Sequence, residues 1–451
     1  MIEALYSILW IYLLLLAIKH MPFFRGVPGL NYKTLVALFL IKVIAGAVFI
    51  FIYTYYYEPH TADIYRYFNE SRVLSGALRH KLTDYLRMLT GIGADAPHLQ
   101  AYYDKMPYWW DPELYPVYND NRLMIRYNAL LNLLSFGKIH VNSVIANFFS
   151  LAGLVAIYKF GLRHLKQSKI PFLAIGIFLF PSIIFWGSGL IKEILLIPVM
   201  GFFVFYSDRI LSGERLKGWQ YLFFAALSFL LLLLKVYVLL LLIPCLLAFH
   251  LAGKLKRPSP AIIFPGLILL SVLVVMVIAW LFPQFDPFAI LAKRQNFYMR
   301  FSVYVKAGSL IHQVFLEPNF VSILAYIPRA LLNVLFRPHL LDSANPIILS
   351  AAIENLAILL MIILLGLYAF RNKRPGRMEW FGIWFTLVLF VFIGITTQVY
   401  GTLVRFKIPA LPFLWMSFIG IVPLEKSFLK NLSTKIISFQ KKFPNQNTKT
   451  P

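Results

Sequence analysis

The sequence predicts an all-α polytopic membrane protein, and three observations carry that prediction. Apolar runs of about 20 residues, the length that crosses a hydrocarbon core, recur along the whole 451-residue chain. Hydrophobic residues make up 60% and charged residues only 14%, too few charges for the surface of a water-soluble chain of this length. The loops between the runs alternate in charge, as the positive-inside bias requires.

Taken in order, the apolar runs give about eleven transmembrane helices, near 3–18, 34–56, 140–160, 171–186, 194–207, 219–234, 236–252, 261–282, 349–370, 380–396 and 408–424. The start, Met1-Ile2-Glu3, lacks the basic region of a signal peptide, so the first run is expected to be a retained span. The 34-residue run 219–252 is read as a hairpin turning at Lys235-Val236-Tyr237, because one long helix would put the downstream basic loops on the wrong side. Loops at 19–33, 163–169, 208–217, 254–257 and 371–377 are basic and are assigned to the cytoplasm, with the N-terminus outside. The expected organisation is one transmembrane domain over 1–425 and a basic cytoplasmic tail over 426–451. The net charge of +24 then reflects topology and gives no reason to invoke nucleic acid.

Two long loops fall on the outer side. The first, 57–139, carries nine acidic and nine basic residues, with helical apolar spacing in 63–91. The second, 283–348, is net basic, against the topological bias, which suggests an anionic headgroup or phosphate. Within it, 320–336 is apolar apart from Arg329 and is interrupted by Pro328, as in an interfacial or re-entrant helix.

The chemistry-bearing residues gather on that outer side. Lys192 and Glu193 interrupt an apolar run, and intramembrane charge reads as a functional site unless it merely anchors a span. Gly187 and Gly189 permit a turn there. Ser188, four residues before Lys192, is expected to share a face with it and to help hold a phosphate. Asp63 follows the second span closely; it either caps a helix starting at Ile64 or acts as a general base. Arg405 and Lys407 lie at the mouth of the last span, and an arginine fork suits a phosphate. Arg329, Arg337 and Lys235 add outer cations, and several together are harder to assign to anchoring than one. Glu354, the one deep acid, either lines a cavity or pairs with Arg329. His60, His312 and His339 do not have metal-ligand spacing, although Asp63 with Glu193 leaves open a divalent cation. No nucleotide-binding glycine loop, internal repeat or disulfide framework is present; the single cysteine is Cys245.

Several of these stretches resemble the GT-C superfamily of membrane glycosyltransferases. Asp63-Ile64-Tyr65-Arg66-Tyr67 is similar to the acidic motif that follows an early span in that family. The block from Phe180 to Glu193, Lys235-Val236-Tyr237, Leu335-Phe336-Arg337-Pro338 and Arg405-Phe406-Lys407-Ile408-Pro409 resemble patterns of its bacterial members and of related polysaccharide polymerases. The resemblance covers about residues 50–425 in short motifs. Two features depart from the family pattern: an extra early span, and one acid where many members show two, with Glu58 or Glu70 the nearest other carboxylates.

The resemblance implies transfer of a sugar from a polyprenyl-phosphate donor to a glycan, lipid or protein acceptor at the outer face of a bacterial inner membrane. Asp63 would be the base or acceptor-orienting acid. Lys192, Arg405, Arg337, Arg329 and Lys407 would hold the donor phosphate, supported by Ser188, Glu193, Lys235, Tyr237 and Tyr65. The alternatives are a polysaccharide polymerase and a lipid-linked sugar flippase; a flippase should place charge along a path through the midplane and often shows internal duplication.

Overall fold

The computed structural model describes residues 2–60, 62–109, 119–304, 309–311, 314–342, 345–371, 374–397 and 399–424. The proposed basic tail and His312 lie outside the described residues. Helices make up nearly all of the regular structure described, and the one β contact is an isolated bridge between Leu310 and Val399.

In chain order the helices are α1 (Ile2–His20), α2 (Tyr32–Tyr55), α3 (Asp63–Ala77), α4 (Leu82–Thr90), α5 (Gln100–Tyr103), α6 (Asn121–Ser135), α7 (Ile139–His164), α8 (Ile170–Phe178) and α9 (Pro181–Phe185). They continue as α10 (Lys192–Leu211), α11 (Gly218–Lys254), α12 (Pro260–Leu281), α13 (Pro287–Tyr304), α14 (Phe320–Phe336), α15 (Pro346–Arg371), α16 (Arg377–Thr396), α17 (Tyr400–Lys407) and α18 (Leu411–Ile421). Among the described residues, eight helices are long and apolar enough to cross a membrane: α1, α2, α7, α10, α11, α12, α15 and α16. A ninth arises if α17 and α18, bent by 59°, form one broken span.

Two of the apolar runs, covering three of the expected eleven crossings, differ for local reasons. The run 171–186 is not one helix: α8 stops at Phe178 and a separate five-residue α9 starts at Pro181. Proline lacks the N–H for an i→i−4 bond and pushes the residue before it out of helical backbone, so the chain breaks there. The run 219–252 lies within one stretch of helix whose backbone leaves the helical region at a single residue, Lys235 (φ −153°, ψ 77°). The arms on either side are each about 25–28 Å long at 1.5 Å per residue.

The chain forms two compact units. The first comprises Met1–Ala156, Ile183–Val204 and Lys217–Val236; the second comprises Ile157–Ser182, Phe205–Leu216 and Tyr237 onward. In the first unit α7 and α10 cross at close range: a side chain on Gly153 would overlap the backbone of Pro198, and one on Gly201 would overlap Gly153. Small residues at such a crossing are the usual means of packing apolar helices where lipid gives no hydrophobic drive. The same unit carries a polar lobe between its second and third candidate spans, in which α3 packs along α6 and Asn132 donates to Ser71 Oγ at 3.0 Å. In the second unit α16 packs against α14 and α18, and Tyr326, Ala330 and Val334 form the buried face of α14.

Candidate functional site

The turn between α9 and α10 is built from the first unit's own polar side chains. Carbonyls freed from helix in an apolar setting need donors, since each one left unpaired costs several kcal/mol. Lys42, buried within α2, donates to Gly187 O at 2.8 Å and to Ser188 Oγ at 3.1 Å. From α7, Ser150 donates to Gly187 O at 2.8 Å and Asn147 donates to Ser188 O at 3.1 Å. Ser188 therefore belongs to the turn's fastening. It precedes α10, which begins at Lys192, so the expected shared helix face does not exist. Neither Gly187 nor Gly189 has a positive φ. Gly189 is needed for a different reason: any side chain there would run into the Phe49 ring.

Lys192 links the start of α10 to the polar lobe. Its Nζ lies 2.6 Å from Asp120 Oδ1, just before α6, and 5.9 Å from the centre of the Tyr67 ring on α3. Tyr67 in turn donates its hydroxyl proton to Asn121 Oδ1 at 3.0 Å. The approach to α6 is held by Asn119, which donates to Tyr108 O at 2.7 Å and accepts from the Asn121 N–H at 2.9 Å. Glu193, the next residue, is buried.

Asp63 is the first residue of α3 and is half-buried; Ala62 occupies the capping position. The carboxylate thus sits in the first turn, where the helix dipole favours negative charge, and not at the cap. The Tyr65 hydroxyl lies 2.5 Å from Thr54 Oγ1, which fixes α3 to the end of α2. One and two turns further on, Arg66 stacks over the Tyr108 ring at 4.1 Å, and Glu70 Oε1 accepts the Tyr108 N–H at 2.7 Å. Glu70 is 3% exposed, and burial pushes its carboxyl up to about 7, against the downward pull of the Tyr108 and Trp109 N–H groups and of Arg66. Asp63, Arg66 and Glu70 recur at i, i+3 and i+7, so the stripe is readable in the sequence; the depth of Glu70 is not.

The second unit sorts the remaining cations. Lys407, expected to hold phosphate, is buried and donates to Val334 O and Asn355 Oδ1, both at 2.6 Å. Val334 is in the last turn of α14, so Lys407 satisfies a carbonyl that a helix end leaves without a partner. That is a structural task, and it corrects the expected phosphate role. Arg337, at the end of α14, donates to the Tyr400 hydroxyl at 3.3 Å and is partly exposed. Arg329 is exposed on α14, and the Arg405 guanidinium lies 5.4 Å from the centre of the Phe406 ring. Tyr237 stacks on Phe392 at 4.5 Å. Lys235, by contrast, belongs to the first unit and is the non-helical residue of α11. Glu354 accepts the Ser182 N–H at the start of α9 at 2.7 Å, which accounts for its depth without Arg329.

Lys42, Asp120 and Asn355 are absent from the expected site. Lys42 left a signal, a lone charge in an apolar run; Asp120 and Asn355 left none. Among the described residues no three His, Cys, Asp or Glu side chains gather to hold a metal ion. No family model, curated protein or solved structure matches the chain.

Proposed function

We propose that the chain is a membrane glycosyltransferase that moves a sugar from a polyprenyl-phosphate donor to an acceptor at the outer face of a bacterial cytoplasmic membrane. The observation that carries this reading is the gathering, in the first unit, of the charged start of α10 with the polar lobe that begins at Asp63. Lys192 is bound to Asp120 and faces Tyr67, so residues from three distant stretches meet at the lobe. Polar groups so placed beside apolar spans suit chemistry on a lipid-linked substrate.

In this reading Asp63 orients or deprotonates the acceptor hydroxyl. The leaving group is a phosphate, so the main need is positive charge where its negative charge grows. In the first unit Lys192 is assigned that role; in the second unit, taken by itself, the candidates are Arg337, Arg329 and Arg405, and Lys407 is withdrawn. The positive-inside distribution supports an outward-facing lobe and a cytoplasmic C-terminus.

Reconstituted protein should release sugar from at least one member of a panel of radiolabelled polyprenyl-phosphate sugars. Asp63→Asn should lower turnover by about 10²–10⁴-fold, the usual loss of a positioned base. No turnover with any donor would remove the reading. The orientation has its own test, because the only native cysteine, Cys245, is buried. A cysteine at exposed position Lys105 should react with an impermeant maleimide in intact spheroplasts; protection there with reaction in inverted vesicles would reverse the topology.

A further inference from the structure

The lobe of the first unit contains a half-open cleft of about 250 Å³ whose polar lining is His60, Arg66, Asn69, Glu70, Lys105 and Tyr108. That is below the ~300–1,000 Å³ usual for drug-sized ligands, so the space suits a group the size of one monosaccharide. Its chemistry is two-sided. Arg66 and Lys105 bring cationic donors from α3 and from the segment after α5, and His60 adds an imidazole from the stretch before α3. Arg66 is held in place by stacking on Tyr108 and by donating through Nε to His60 O at 3.4 Å. Opposite them, Glu70 offers a carboxyl of which only Oε1 is engaged by the Tyr108 N–H. Oε2 is buried and takes no well-formed hydrogen bond among the described residues, the Trp109 N–H being the other backbone donor near the carboxyl. A buried acceptor left without a donor is costly, and a bound hydroxyl would supply one.

We propose that this cleft is the acceptor subsite and that it selects an acidic sugar, with the carboxylate or phosphate against Arg66 and Lys105 and a ring hydroxyl donating to Glu70 Oε2. Describing the bound sugar as an acceptor rests on the transferase reading; the selection of an acidic sugar does not. Arg66 can grip either anion with its planar fork, and Lys105 adds a point charge. Glu70 sets the charge balance of the cleft. Its carboxyl is neutral at pH 6 and largely ionised at pH 8, so an anionic sugar meets less repulsion at the lower pH. The other titratable or charged groups that line the cleft are His60, Arg66, Lys105 and Tyr108.

The test is direct binding of D-glucuronate, glucose 6-phosphate and glucose to the full chain in lipid nanodiscs. Either acidic sugar should bind about tenfold or more tightly than glucose, the worth of one charge-assisted contact, and the tighter of the two identifies the anion. Lys105→Gln, at an exposed position that tolerates change, should weaken the acidic sugar roughly three- to tenfold and leave glucose unaltered. For glucuronate, whose own charge is constant from pH 6 to 8, affinity should fall as the pH rises, and Glu70→Gln should flatten most of that fall. Equal binding of glucose, binding of none of the three, indifference to Lys105→Gln, or an unchanged pH step in Glu70→Gln would each overturn the proposal. The two readings fail separately. Acidic-sugar selectivity without consumption of any polyprenyl-phosphate sugar would uphold the cleft and remove the transferase. Donor turnover that uses neutral sugars alone and ignores Lys105→Gln would do the reverse.

Discussion

Lys192 in the first unit and Lys407 in the second are both buried lysines at the ends of short or interrupted apolar stretches, and their partners differ in kind. The near acceptors of Lys407 are neutral: a helix-terminal carbonyl and the Asn355 amide oxygen. Lys192 faces a carboxylate, Asp120, that is partly open, with side-chain exposure of 16% against 8% for the lysine. A cation used to satisfy carbonyls is committed to the fold. A cation balanced by a carboxylate keeps a charge that a substrate anion can share, and the difference is why the proposed function retains Lys192 and not Lys407.

The largest effect expected is therefore on folding, at Lys407. Lys407→Met would leave Val334 O and Asn355 Oδ1 buried without their donor. With charge-assisted bonds worth ~1.5–3 kcal/mol each, the loss should be about 3 kcal/mol or more. It should appear as a lower unfolding temperature and a poor yield of monodisperse protein in detergent. Arg337→Gln, which gives up one long bond to Tyr400, should stay within about 1 kcal/mol while lowering donor turnover. If Lys407→Met folds normally and loses only turnover, the comparison collapses and Lys407 returns to the phosphate site.

At Lys192 the expected loss is smaller and of a different shape. Lys192→Met takes the lysine away from Asp120, and because that carboxylate keeps some water the cost should be about 2 kcal/mol, short of the ~3–5 kcal/mol seen when a fully buried pair is broken. Lys192→Met combined with Asp120→Asn should recover at least half of the stability and none of the turnover, a double-mutant coupling read by thermal unfolding beside a transfer assay. Recovery of both would make the ion pair purely structural.

The division between these two lysines was not legible in the sequence, and the reason is physical. Periodicity and apolar length report which residues enter a helix, so the spans at α1, α2, α7, α12, α15 and α16 fall close to where the runs predict them. The irregular backbone at Lys235 falls where a turn between two spans was expected, whereas the break at Pro181 lies inside a run read as one span. What a charged side chain meets across a tertiary contact leaves no local trace. Lys407 reaches α14 across 73 residues of chain, and Lys42 reaches the turn at Gly187 across 145. The acidic stripe of α3 lies between these extremes: its spacing shows in the sequence, but the burial of Glu70 depends on the segment around Tyr108 folding over it.

That burial gives a pH signature confined to the lobe. Glu70 is raised from 4.5 to about 7 in the folded protein, so the unfolded chain ionises first as pH rises. Its contribution to stability is fully present below about pH 4.5, declines between there and about pH 7, and is constant above. Unfolding of the wild type against Glu70→Gln across that window should show the wild type losing ground steadily as the pH rises. A difference independent of pH would mean that Glu70 titrates normally and that its burial carries no charge penalty.

The smallest effect sharpens the same rule within a single side chain. Arg163 touches two acids in the second unit: Asp208, whose side chain is fully buried, through Nε at 2.7 Å, and Glu214, 34% exposed, through the other end of the guanidinium. Asp208 is also reached by His164 Nε2 at 2.8 Å, whereas Glu214 meets Arg163 and Arg209. Both arginines hold the Glu214 carboxyl below its ordinary value, Arg209 most of all, yet water screens the pair. Glu214→Gln should therefore cost less than about 1 kcal/mol and lose even that in high salt. Asp208→Asn should cost several times more and depend less on salt, because the carboxylate it removes is shielded from water. Equal costs at the two positions would mean that charge alone, and not the partner's access to water, sets the price of an ion pair in this protein, and the distinction drawn between Lys192 and Lys407 would lose its physical basis.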